Sequence, residues 1–435
     1  MRVLIIGAGI IGVTSAYCLR RRGHEVMVID RESGPGRETS FANGSLLTPS
    51  MPEPWNAPGC WRMLLGSLGR SDCPMQLRIK ALPGLAEWGI AFLRNSNAAS
   101  YQRNSIRNLR LALHSLKVMA SIRHETAINY GRSARGTLRL FRDAAALDRA
   151  LATSLLPSEA PPFRRLSRAE TLELEPGLMP VADRLVGAIH YPMDETGDAH
   201  RFCRALAEQA QREGAEFRFD TEVSRIETHS GRVTAVVGAG QRFEADKYLV
   251  AAASYSTPLL KSVGIHLPVQ PVKGYSVTFD LPLGTDALRI PVVDDDLHAV
   301  VVPLEGAIRA AGTAEFAGYD RAANPPRIAS LLKLLQRVLP QVPLDPAAAR
   351  PWWGLRPMSV DGVPIIGATP VLWTITVKLA PAVGTWVLEA SGSALVTETW
   401  LNSTEPVNGI AVRVPAPGWT QSKTSSQVPA TGFAS

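Results

Sequence analysis

The sequence predicts an α/β protein in which a Rossmann-type nucleotide-binding domain is joined to a second, α+β domain built on an antiparallel or mixed sheet. Three observations predict it. A strand–glycine turn–helix–strand unit opens the chain, helical periodicity runs from about residue 79 to 142, and short apolar strands alternate with turns from 216 to 312. The 435 residues suit two or three domains, at roughly 100–200 residues each. With 46% hydrophobic and 20% charged residues the chain can fill a core, which excludes wholesale disorder, and its 35 Gly and 33 Pro follow no fibrous period.

Taken in order, residues 2–6 (Arg-Val-Leu-Ile-Ile) are a short, continuous apolar run, as in a strand buried on both faces. Residues 10–22 turn helical, with Ile11, Ser15, Cys18 and Leu19 on or near one face. Arg20, Arg21 and Arg22 suit the negative end of the helix dipole, and Gly23 caps it. Residues 25–29 form a second strand ending at Asp30, and residues 31–50 are a long polar loop. The helical stretch 79–142 pauses near 95–99 and 131–136, and residues 157–200 read as irregular and Pro-rich. Asp198 or Thr196 caps a helix over 199–213, which Gly214 ends. Strands are expected at 216–219, 222–228, 232–237, 241–244 and 247–252, then at 272–279, 290–293, 298–303 and 308–311. A helix over 326–339 follows, then a Pro/Gly-punctuated segment from 351 closing with a strand at 364–367, a helix over 387–400, and a disordered Ser/Thr/Gln/Pro-rich tail.

Gly7-Ala8-Gly9-Ile10-Ile11-Gly12 is a GxGxxG, weak alone and strong here. It follows a strand, opens a helix, and is followed by Asp30, 18 residues past Gly12. Gly7 permits the tight turn, Gly9 lets a pyrophosphate approach the backbone, and Gly12 packs the helix close to the strand. The N–H groups at the helix start, on Ile10 and Ile11, face the phosphates, and Asp30 takes a ribose hydroxyl. A glycine turn without a ligand is the competing reading, and the full set of features weighs against it. FAD and NAD share the fingerprint. Its place at the N-terminus, and the polar loop 38–45 that can line a flavin, favour FAD. The strand set 216–252 brings a second crossing to the same dinucleotide. Candidate cofactor-binding residues are Val3, Gly7, Gly9, Ile10, Ile11, Gly12, Asp30 and Arg31 in the opening unit. Thr39, Ser40, Asn43 and Gly44 join them from the loop, and Val223 from the second crossing.

With these pieces the chain resembles the FAD-dependent D-amino-acid oxidase superfamily, the bacterial D-amino acid dehydrogenases in particular. The resemblance rests on Glu38-Thr39-Ser40 with Ala42-Asn43, Asp194-Glu195-Thr196-Gly197-Asp198 and Ser254-Tyr255-Ser256-Thr257, besides the opening unit. Pro271-Val272-Lys273-Gly274-Tyr275-Ser276 and Gly354-Leu355-Arg356-Pro357-Met358 with Asp361-Gly362 complete it, in the family's order. It implies an FAD-binding domain assembled from 1–50, 199–262 and 351–412, a substrate domain from 51–198 and 263–350, and a tail from 413 to 435. It also implies FAD as cofactor and oxidative deamination of a small-molecule D-amino acid to a 2-oxo acid and ammonia, by hydride transfer from Cα to flavin N5. A respiratory-chain acceptor, not oxygen, takes the electrons. Arg356 stands where the related oxidases carry their carboxylate-binding arginine, and its planar fork suits a bidentate pair; a surface ion pair is the alternative. Tyr275 is the candidate for a substrate-side hydroxyl, with a core-edge tyrosine as the equal alternative, and Tyr319 is weaker.

The relatives close the flavin site with a Gly-His-Gly loop, where this chain has Ala380-Pro381-Ala382, and Ala253 replaces a usual Gly. Pro381 has no N–H to give. Two other readings therefore stay open: the same fold acting on glycine, sarcosine, D-proline or hydroxyproline, and a non-catalytic FAD-binding protein.

The net charge of +7 gathers partly between 70 and 142. A solvated helical face explains it, and peripheral docking on an anionic membrane is the alternative. No nucleic-acid module is visible. The apolar stretch 370–388 carries Lys378 centrally, at a cost of about 2.5–3.5 kcal/mol in a bilayer, and Pro381 and Gly384 break it, so it reads as core. The four cysteines show no metal spacing, no metal is assigned, and no signal peptide is seen; the expected location is cytoplasmic, with peripheral attachment to the inner face of the membrane left open.

Overall fold

The computed structural model describes residues 1–67, 75–154, 161–282, 285, 287–294, 299–368 and 373–376. The expected helix at 387–400, the tail and the Ala380-Pro381-Ala382 loop lie outside these residues.

The opening unit folds as read. β1 (Arg2–Ile6), α1 (Ile10–Arg21) and β2 (Glu25–Ile29) form a βαβ unit. β1 lies inside a six-stranded sheet, with β2 and then Glu216–Arg218 on one side, and Lys247–Val250, Trp373–Thr376 and Ile365–Ala368 on the other. All pairings are parallel except the terminal one, between the last two strands. Alternation along β1 explains its unbroken apolar run. Val3 and Ile5 pack with Phe202 and Leu206 of the helix Ala199–Arg212. Leu4 and Ile6 pack with Val236 of the small antiparallel sheet Val223–Phe243 on the other face. Asp198 caps the helix Ala199–Arg212 by accepting from the Arg201 N–H at 2.9 Å.

The second body is a nine-stranded mixed sheet. Its long strands are Val269–Asp280 and Ala307–Phe316, joined by ten residue pairs to the edge strand Arg350–Ser359 and by an antiparallel ladder to Ala299–Leu304. The helix Pro325–Val338 covers one face through Leu331, Leu334 and Leu335. Leu82–Arg94 and the 29-residue Ala98–Thr126 supply the helical layer.

Four of the longer strands differ from the sequence reading. Thr137–Phe141, expected within the helical stretch, pairs with Val292–Asp294 and Gly187–Tyr191. Residues 164–167 and 187–191, expected as irregular, are strands that pair with each other. Arg350–Ser359, grouped by sequence with the dinucleotide unit, lies on the large sheet; Pro351 and Pro357 are tolerated because the strand is an edge.

Candidate cofactor and substrate site

The glycine turn stands at the carboxyl end of β1, where the chain order reverses between β2 and Lys247–Val250, the usual crevice for a dinucleotide. Gly7 adopts φ +109°, and a Cβ there would lie 2.5 Å from the Ala251 carbonyl oxygen. A Cβ on Gly12 would lie 1.7 Å from the Gly7 carbonyl oxygen, so the helix packs this close only with glycine. Gly9 is different. A Cβ there would approach only Ser40 Oγ, at 3.6 Å, so this face of the turn is open toward the polar loop. Gly9 is also the N-cap of α1 and offers no side chain to the first turn; the Ile10 N–H donates to Ser40 Oγ at 3.2 Å. An open glycine face and a helix start without its own cap fit a pyrophosphate.

Asp30 sits at the tip of β2. Its carboxylate accepts from the Ala8 N–H at 2.5 Å and the Glu32 N–H at 2.8 Å, bracing the turn from the side. Burial pushes its pKa up, and these two N–H donors pull against it. Two of its four lone-pair sites remain for a ribose. The Thr221 N–H donates to the Asp30 carbonyl at 2.8 Å, which brings the second crossing, and Val223 after it, beside Asp30. Arg31 lies over the Tyr255 ring at 3.8 Å and pairs with Glu38 and Glu32. Val3 is in the sheet interior with no exposure and supports the unit from the core.

The polar loop joins the two bodies. Thr39 Oγ1 donates to the Leu355 carbonyl at 3.0 Å, and Ser254 Oγ donates to the same oxygen at 3.0 Å. Ser276 Oγ donates to the Ala42 carbonyl at 2.6 Å. Asn43 turns the loop, its Oδ1 accepting from the Ser45 N–H at 3.1 Å, and Gly44 is buried beside it. Arg309, which the sequence reading missed, braces this turn. Its Nη1 donates to Asn43 O at 3.1 Å and Ser45 Oγ at 2.9 Å, with Asp198 at 3.6 Å.

Arg356 lies one residue beyond the twice-held Leu355 carbonyl. It is 8% exposed, and its Nη1 donates to the Thr313 carbonyl at 3.4 Å. Among the described residues no carboxylate pairs with it. Burial lowers its pKa to about 10. Its guanidinium lies flat against Gly274, where a Cβ would come within 2.3 Å of Cζ. Trp352, on the same face of the strand, lies across Gly354 in the same way. Neither Gly274 nor Trp352 was singled out from the sequence; an isolated glycine inside a strand was the available signal, since it marks a close approach.

Tyr275 is a correction. Arg356 is opposite Val272, and Tyr275 is three positions on, so it points from the other face. It is 1% exposed in the core beneath the helix Pro325–Val338, and its hydroxyl donates to Glu315. Burial and this acceptor raise its pKa. Glu315, fully buried, also meets Arg78, Asn324 and Lys273; burial pushes its pKa up, and the Tyr275 hydroxyl with Arg78 and Lys273 outweighs that and holds it down. Tyr275 thus belongs to a buried charge network, away from Arg356. Tyr319 caps the small-residue loop instead, donating to the Ser254 carbonyl at 2.8 Å. In that loop Ala253 holds φ +47°, which accounts for the glycine usual there.

The DAO family, described as FAD dependent oxidoreductase, matches residues 2–401. The D-amino acid dehydrogenase of Paramagnetospirillum magneticum is 40% identical over 382 residues, covering 86% of this chain and 90% of its own length. That of Sinorhizobium medicae is 42% identical over 376 residues, covering 85% and 89%. Among solved structures, glycine oxidase from Geobacillus kaustophilus matches with a TM-score of 0.68 at 22% identity, covering 93% of this chain and 96% of that one. L-proline dehydrogenase from P. horikoshii matches at 0.66 with 16% identity, covering 92% of each. The two structures share the fold.

Proposed function

The chain belongs to the DAO family of FAD-dependent oxidoreductases, and from that premise we propose that it oxidises D-amino acids to 2-oxo acids and ammonia. FAD, when bound, would supply the redox chemistry. The chain's own residues bind and orient. The open face at Gly9 and the first N–H groups of α1 hold the pyrophosphate, and Asp30 holds the ribose. Arg356 takes the substrate carboxylate.

The observation that carries the proposal is this buried guanidinium without a carboxylate partner among the described residues. An uncompensated buried charge is costly, and an anionic substrate relieves it. Its position supports the role, since the preceding carbonyl is held by Thr39 and Ser254 from the cofactor side. The half-buried indole of Trp352 on the same face offers an apolar wall to the substrate side chain. Relatives named D-amino acid dehydrogenase support the substrate class and an acceptor other than oxygen. We assign that acceptor to a respiratory chain, reached by peripheral attachment to the membrane. Among the described residues no helix is long and apolar enough to cross one.

The test is anaerobic bleaching of the bound flavin by a panel of amines. D-alanine or another D-amino acid is expected to bleach it and L-alanine is not. Arg356→Ala is expected to stay yellow and to resist bleaching at ordinary substrate levels. Bleaching by glycine or sarcosine, and by no chiral D-amino acid, would move the protein to the other amine reading.

A further inference from the structure

Two short helices precede the long one and pack on a single apolar cluster through Cys60, Leu85, Trp88 and Phe92. Cys60 Sγ lies 3.3 Å from Ser96 Oγ, just past the end of the second helix. Their exposed surfaces are unusually apolar. Of thirteen exposed large hydrophobic residues among the described residues, seven fall between 61 and 93, so the exposure is concentrated and not scattered. The helix Cys60–Gly66 presents Trp61, Met63 and Leu65, at 47%, 47% and 56% exposed. The helix Leu82–Arg94 presents Leu82, Ile90 and Leu93, and the turn before it presents Ile79 at 66%.

The exposed charges around this crest are mostly positive. Arg62, Lys80 and Arg94 are exposed within it, and Arg103 and Arg107 are exposed on the neighbouring helix. Glu87 is the one acid among the described residues from 60 to 94. Arg62 lies over the Trp61 ring at 5.3 Å, so an indole and a cation emerge together. Apolar side chains with an interfacial Trp, flanked by Lys and Arg, complement an acyl boundary beneath anionic headgroups. A second copy of the chain, docked symmetrically, would bring these same cations against each other. We propose that this paired-helix face is a docking surface for an anionic lipid bilayer. The inference names the surface for the membrane attachment proposed above and rests on that part of the reading.

The experiment is co-sedimentation of the FAD-loaded protein with vesicles of phosphatidylcholine alone, or carrying about a third phosphatidylglycerol. Wild type is expected to bind the anionic vesicles at low salt, to leave the neutral ones largely free, and to weaken as salt rises. Replacing Trp61, Leu65, Ile90 and Leu93 by Ser is expected to weaken binding at least tenfold. Replacing Arg62, Lys80 and Arg94 by Gln removes roughly fivefold per cation. All these residues are exposed, and bleaching by D-alanine is expected to stay at the wild-type level. That separate readout distinguishes a failed surface from a failed activity. Wild type that stays in solution with both vesicles overturns the proposal. So does an apolar variant that binds as wild type does, or a wild type that dimerises through this face without binding vesicles.

Discussion

Gly274→Ala tests the proposed carboxylate anchor, Arg356, without replacing it. The added methyl would stand 2.3 Å from Arg356 Cζ and Nη2 and 2.5 Å from Nε, whereas ordinary contact begins at 3.4 Å. The guanidinium must retreat by about 1 Å, a displacement that can cost a hundredfold in a reaction. Gly274 carries no left-handed φ, and the clash is with the far end of a flexible side chain. The fold therefore loses little, and lower unfolded-chain entropy returns about 0.4–1 kcal/mol. One charge-assisted hydrogen bond of a bidentate pair is worth about 1.5–3 kcal/mol, so kcat/KM for a D-amino acid is expected to fall about 10- to 150-fold. Stopped-flow bleaching at varied substrate gives the affinity, a melting curve gives the stability, and the flavin spectrum reports cofactor retention. A variant that melts and retains FAD like wild type, yet reacts at the wild-type rate and affinity, would refute the assignment of Arg356. So would a variant that loses several kcal/mol of stability with its substrate affinity intact.

Other perturbations follow from the same geometry. Arg356→Met removes a buried, uncompensated charge and is expected to raise the melting temperature while abolishing bleaching; a large drop in melting temperature would show the guanidinium to be structural. Ala253→Gly relieves a left-handed alanine and is expected to stabilise by up to about 1 kcal/mol in urea unfolding, an idea sunk if the midpoint falls. Asp194 is fully buried, accepting from Ser50 and Thr137, and burial lifts its pKa to about 7. A raised carboxyl pKa keeps its stabilising contribution below the unfolded value of 3.8 and loses it as pH rises to about 7. Relative to Asp194→Asn, wild type is therefore expected to lose up to about 4 kcal/mol across that window, and parallel pH profiles of the two would contradict this.

The local features were legible because local spacing dictates them. The glycine spacing from Gly7 to Gly12 between β1 and β2 shows within a thirty-residue window, and the Gly12 contact with Gly7 is local to it, although the Gly7 contact with Ala251 is not. Features set by register between distant strands were not. Tyr275 and Arg356 sit in neighbouring motifs on paired strands, but which face each occupies depends on the pairing of Val272 with Arg356 across 84 positions. The strand Arg350–Ser359 was hidden by Pro351, Gly354 and Pro357, which read as turns until the sheet edge makes them acceptable. Thr137–Phe141 was hidden for the opposite reason, being too short to interrupt the helical pattern before it. Arg309 carries no local sign of its role, since the loop atoms it holds at 43–45 lie more than 260 positions away.

The Leu355 carbonyl, gripped at once by Thr39 and Ser254, predicts that the two proposed ligands are thermodynamically interdependent. Whatever order a dinucleotide would impose on those two hydroxyls would pass along one peptide to the guanidinium proposed to receive the carboxylate. Because such coupling is reciprocal, saturating the arginine with an unreactive organic acid should slow the escape of FAD from the holoenzyme. Thr39→Val with Ser254→Ala should erase that protection while leaving the acid able to bind.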